Sequence, residues 1–136
     1  GMMQFAANAS TALVRLVGVG MGAKLASAAL RQSEKLAQVA SQEIAAHKDN
    51  PQNFFNIIDA MNAFDGEAQL AQIQAPTLVI VGARNRLSHK QAQQMAQTIP
   101  NANLVEIAAA GHGVNWDNTP AFNAAIRKFV HTLDGA

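Results

Sequence analysis

The chain has 136 residues, of which 14% are charged and 49% hydrophobic, and ten basic against nine acidic side chains leave a formal charge of +1. That length is one domain's worth, able to bury roughly 68% of the surface its unfolded form exposes. The near-neutral balance, with no basic block or arm, argues against a nucleic-acid partner, and the lack of cysteine excludes disulfides, thiolate metal sites and a cysteine nucleophile.

A cysteine-free composition of this kind suits a cytoplasmic protein. Gly1 before Met2 reads as a scar of tag cleavage and is set aside. The most apolar stretch, "STALVRLVGVGMGAKLASAAL" (10–30), is broken by Arg15, Lys24 and three glycines. No run of about 18 uncharged apolar residues remains, so no membrane role is expected. It also lacks the basic start of a signal peptide.

The first 64 residues read as helices. Leu13, Leu16 and Val17 follow the i, i+3, i+4 spacing of one helix face, and Gly18, Gly20 and Gly22 then punctuate a turn. Ser33 is an N-cap candidate for a helix over 34–47, with Leu36, Val39, Ala40 and Ile44 as its apolar stripe. Asn50 and Pro51 start another, where a proline at the first position loses nothing. Phe54, Phe55, Ile58 and Met61 form its expected buried face.

At residue 70 the pattern changes. Pro76 disfavours helix at Ala75, and "TLVIVG" (77–82) is apolar on nearly every residue, as in a strand buried on both faces of a parallel sheet. Ser88 then caps a helix to about Thr98, with Ala92, Met95, Ala96 and Ile99 inward. A second strand, "NLVEIA" (103–108), leads to a glycine turn around His112. A last helix from Pro120 to about Leu133 buries Phe122, Ile126, Phe129 and Val130. Strand, helix, strand, helix implies a right-handed parallel β-α-β unit with a covering helix.

The segment "APTLVIVGARNRLSHKQAQQMAQTIPNANLVEIAAAGHGVNWDNTPAFNAAIRKFV" resembles the C-terminal end of an α/β-hydrolase. The resemblance implies that the second-last strand ends in a glycine turn carrying the catalytic acid. It also implies that the last strand is followed by Gly-His, with the histidine as base, and that a final helix closes the fold. It is specific over 64–133, while residues 2–63 resemble, less specifically, the helical cap of that family. The expected fold is therefore α/β, a partial α/β-hydrolase fold. Its parts are a cap-like helical region over 2–64 and a C-terminal α/β segment over 65–136, with a short parallel sheet.

His112 falls at the base position, flanked by Gly111 and Gly113, whose small size leaves an imidazole edge free. Both loops, 82–88 and 109–116, follow strand carboxyl ends, where ligands bind in open parallel sheets. His47, His89 and His131 have no partner pattern and read as surface residues.

Two departures from the family stand out. The family shows Gly, two variable residues and Asp at the acid position, whereas "GARN" puts Asn85 there. A carboxamide can orient an imidazole but cannot stabilise the imidazolium. In a protease triad the same exchange lowers turnover by about 10⁴, because the wrong tautomer forms. Asp117 is a less favoured substitute acid, since it matches the acidic position that normally helps start the last helix. Arg84 and Arg86 flank Asn85 and read as solvated or anion-holding.

The second departure concerns the nucleophile, which in this family sits in G-x-S-x-G on a strand-to-helix turn. No such string occurs. The nearest, "LVGVGMGA" (16–23), has Gly20 at the serine place and reads better as a glycine turn than as a decayed elbow or a phosphate loop. Ser10, Ser27, Ser33, Ser41 and Ser88 have no elbow around them.

The chain thus reads as a truncated α/β-hydrolase relative for ester-like acyl substrates. It keeps a base histidine, His112, and a substituted acid position, Asn85, and little activity alone is expected. No cofactor and no metal are expected. Two strands with open edges predict a homo-oligomer. The rival readings are an active hydrolase whose nucleophile comes from a partner chain or an unobvious local serine, and a non-catalytic module. The latter would bind a small apolar ligand or a partner through Phe54, Phe55, Met61 and Trp116.

Overall fold

The computed structural model describes residues 50–134 continuously and scattered positions between 15 and 43. It divides into a helical unit ending at Gly66 and an α/β unit from Glu67 onward. The expectations for Ser33, Leu36 and His47 lie outside the described residues, as do those for every serine except Ser88.

In the helical unit, the described positions from 15 to 43 are helical except Gly18, whose φ of 84° is left-handed. Gly20 and Met21 are helical, and so are Arg15 and Leu16 ahead of them. Among the described residues ahead of Gly20, none lies in the strand that an elbow requires. Helix α1 (Pro51–Ala63) has Pro51 in its first turn, and Asn50 holds the N-cap place without a side-chain bond. Phe54 and Phe55 meet edge to face, 5.7 Å apart, and the Arg15 guanidinium lies 4.8 Å above the Phe55 ring. Arg15 also pairs with Asp59 at 2.6 Å. Met61, expected in the buried face, is 66% exposed instead. Phe54, Phe55 and Ile58 are half-buried.

The α/β unit opens with a 3-10 helix (Glu67–Gln72) that the sequence pattern did not reveal. Strand β1 (Thr77–Gly82) has the expected bounds, and β2 (Ala102–Ile107) starts one residue earlier than expected. The two pair in parallel, from Thr77↔Ala102 to Gly82↔Ile107. Between them α2 (Arg86–Thr98) begins two residues before Ser88, with Asn85 at the N-cap place, so Ser88 is not its cap. After β2 come a short helix, α3 (Val114–Asp117), and the last helix, α4 (Thr119–Asp134).

Alternation along β1 explains why it is apolar throughout. Val79 and Val81 face α2 and pack with Ala92, Ala96 and Ala102. Ile80 faces the other way, into a cluster of Ile107, Ala110 and Val114 with Val105, Ala121, Phe122 and Ala125. Strand β2 is less enclosed, with Leu104 and Glu106 exposed. Helix α4 packs mainly through alanines and Phe122. Ile126 and Val130, expected to be buried, are exposed along with Leu133, while Phe129 is half-buried. Met95 of α2 is likewise exposed, whereas Ile99 is buried as expected.

Candidate active site

The two strands end side by side, and backbone bonds carry their pairing into the loops. Ala83 donates its N–H to Ile107 O (2.9 Å) and Arg84 to Ala110 O (2.8 Å). Gly82 is needed at this junction because a methyl group there would overlap the carbonyl oxygens of Ala110 and Gly111. The tight turn in "AAAGHG" is not made by a glycine. Its left-handed residue is Ala109, with φ 56°, a conformation that costs a non-glycine residue about 1–2 kcal/mol. Gly111 and Gly113 are instead buried, and the Gly111 carbonyl lies against Gly82.

This loop brings together the two sequence-predicted site residues. Asn85 Nδ2 lies 3.2 Å from His112 Nδ1. Asn85 is 4% exposed while His112 is exposed, so a buried side chain holds Nδ1 of an exposed imidazole. Nδ2 can only donate, so with the carboxamide placed this way Nδ1 accepts and the ring proton resides on Nε2. The placement leaves Asn85 Oδ1 buried without a partner.

Asp117 does not approach His112 as a substitute acid. Its side chain is 1% exposed; Oδ2 accepts the Gly111 N–H at 2.6 Å and lies 3.7 Å from Arg84 Nη2. Arg84 is thus an ion-pair partner, while Arg86 is exposed in the first turn of α2. Nor does Asp117 start the last helix. Asn118 does, accepting the Ala121 N–H on Oδ1 (3.3 Å) and donating from Nδ2 to Ala108 O (3.1 Å). His131 is exposed, but His89 is not the surface residue expected. Its Nε2 bonds Gly82 O at 3.1 Å, and its Nδ1 is 3.6 Å from Glu106 Oε2. Phe54, Phe55 and Met61 belong to the helical unit and Trp116 to the α/β unit. Among the described residues, no group of three or more histidine, aspartate or glutamate side chains could hold a metal ion. No described helix is long and apolar enough to cross a membrane.

The roles of Asp117, His89 and Ala109 escaped the sequence reading. The only signal was the run of small residues 108–111, which marks a close backbone approach without naming what approaches.

No family model matches the sequence. The polyketide synthase ThaQ of Burkholderia thailandensis is 39% identical over 74 residues, covering 54% of this chain and 4% of that protein. RutD of Pseudomonas savastanoi pv. phaseolicola, named provisionally as a carbamate hydrolase, is 36% identical over 87 residues, covering 63% of this chain and 34% of RutD. The chain thus matches about a third of the length of RutD and far less of ThaQ. Among solved structures, MenH from S. aureus, an α/β-hydrolase, superposes with a TM-score of 0.72 at 17% identity, over 95% of this chain and 51% of MenH. With the parallel strands and the loops at their carboxyl ends, this superposition shows a partial α/β-hydrolase fold, which the relatives named as hydrolases support.

Proposed function

We propose that this chain carries the base-bearing part of an α/β-hydrolase site for ester-like acyl substrates, with the helical region 2–64 as its cap, and that it has little activity by itself. The observation that carries this reading is the exposed His112, held at Nδ1 by the buried Asn85 at the carboxyl ends of two parallel strands. In the chemistry proposed, a serine hydroxyl attacks the acyl carbonyl while the histidine takes its proton and returns it to the leaving group. Two features limit that chemistry here. The sequence has no G-x-S-x-G string, and Asn85 favours the tautomer whose Nε2 already carries a proton. The relatives named as hydrolases support the reaction class.

The test is hydrolysis of a short p-nitrophenyl ester by the purified chain beside His112→Ala, with a fluorophosphonate label for a reactive serine. Rates equal to the buffer blank and no labelling are expected. Turnover lost in His112→Ala would make His112 a working base and overturn the claim of low activity. Turnover unchanged by His112→Ala would overturn the assignment of His112.

A second reading, a non-catalytic module that assembles with copies of itself, is favoured by two observations. Ile126, Val130 and Leu133 are exposed along α4, spaced as one stripe of a helix. Among the described residues, β1 and β2 pair only with each other, and such open edges invite pairing with another chain.

A further inference from the structure

Asp117 is a carboxylate almost wholly withdrawn from water, and its Oδ1 has no hydrogen-bond partner, so the contacts on Oδ2 alone compensate its burial. Both of its partners lie on Oδ2, and each is the chain neighbour of one member of the Asn85–His112 pair. Gly111, which donates its N–H at 2.6 Å, precedes His112. Arg84, whose Nη2 lies at 3.7 Å, precedes Asn85. The bond from the Arg84 N–H to Ala110 O runs alongside, joining the same two loops. Downstream, the N–H groups of Trp116 and Asp117 both donate to Gly113 O at 2.9 Å. The backbone on each side of His112 is thereby tied to the turn that carries Asp117.

We infer that Asp117 is the positioning residue of the His112–Asn85 pair, fixing the separation of two side chains that its own carboxylate does not touch. The inference rests on the proposed function only for what the pair does; the geometric claim stands without activity. The two bonds are unequal. An N–H donated to a carboxylate is roughly twice as strong as a neutral hydrogen bond, whereas an ion pair with one half-exposed partner contributes little. Loss of the Gly111 bond should therefore loosen His112 more than loss of Arg84.

A merely structural role for Asp117 would lower the melting temperature and leave the His112 ring unchanged. The experiment reads that ring through its Nδ1 and Nε2 signals in long-range ¹H–¹⁵N spectra at neutral pH. The samples are the wild type, Asn85→Ala, Asp117→Ala, Asp117→Asn, Arg84→Ala and the double variant Asp117→Ala/Asn85→Ala, each with its fold checked by circular dichroism. In Asp117→Ala the signals should move to those of Asn85→Ala. The preference for the Nε2–H form should fall about fivefold, the ratio one hydrogen bond sustains. Removing Asn85 as well should then change nothing more. Asp117→Asn, which keeps an oxygen for Gly111, should retain most of the wild-type pattern, and Arg84→Ala should shift it slightly. A folded Asp117→Ala with wild-type ring signals would overturn the inference. Should that variant not fold, unmoved ring signals in Arg84→Ala would overturn it equally. Ring signals that respond as expected in a chain with no histidine-dependent hydrolysis would count against the base reading alone.

Discussion

Asn85 and His112 lie 27 residues apart in the chain and meet through a 3.2 Å hydrogen bond from Nδ2 to Nδ1. The donor side of a carboxamide faces the nitrogen that a catalytic carboxylate would hold protonated. With the carboxamide placed this way, the ring proton lies on Nε2 rather than on Nδ1.

Replacing Asn85 with aspartate should reverse the arrangement. A carboxylate can only accept, so the ring proton should move to Nδ1 and leave Nε2 free as a base. The ¹⁵N signals of the His112 ring check this directly. Signals that still mark Nε2–H in Asn85→Asp would show that Asn85 does not set the tautomer.

At the strand end, Gly82→Ala should destabilise the α/β unit by about 1–3 kcal/mol, the usual cost of forcing a methyl group into a packed site. The carbonyl oxygens it meets belong to backbone and cannot swing aside. Ala109→Gly should act oppositely, gaining about 0.5–1 kcal/mol by relieving a left-handed alanine. Urea unfolding of the two variants measures both signs.

Two apolar side chains of different exposure test the assignment of the core. Val81 is buried between β1 and α2, and its truncation to alanine should lower stability by about 2 kcal/mol. Ile57, on α1, is 61% exposed, and the same truncation should stay within about 0.5 kcal/mol. Thermal unfolding followed by circular dichroism separates the two.

If the stripe of Ile126, Val130 and Leu133 is covered by a second copy, light scattering should give a mass of at least twice the monomer's. Leu133→Lys should shift that mass toward the monomer without changing the circular dichroism. A wild-type monomer at all concentrations would remove the case for assembly.

How far this protein can be read without its structure is clearest in particular residues. Local patterns were enough where they dictate the backbone state. The β-branched run after Pro76 and before Ala83 sets the bounds of β1, since only a strand buried on two faces needs apolar side chains at successive positions. Pro51 likewise marks the start of α1, and Gly-His after the second strand places His112 in a strand-end loop. The exchange of Asp for Asn85 was also plain from the sequence, and with it the expectation of weak catalysis.

What only the tertiary structure decided is which groups meet across the loops. Asp117 could have capped α4 or faced His112. It does neither, because the loops after two strands that end side by side bring the Gly111 N–H and Arg84 to it while Asn118 takes over the cap. Met61 and Ile126 fall on the apolar stripes of their helices yet remain in water, since a stripe only permits burial and a neighbour must supply it. The left-handed residue of the His112 loop is an alanine, although more permissive glycines stand close by. Periodicity carries the information for helix and strand, but a bond between residues far apart in the chain depends on how the loops pack in space.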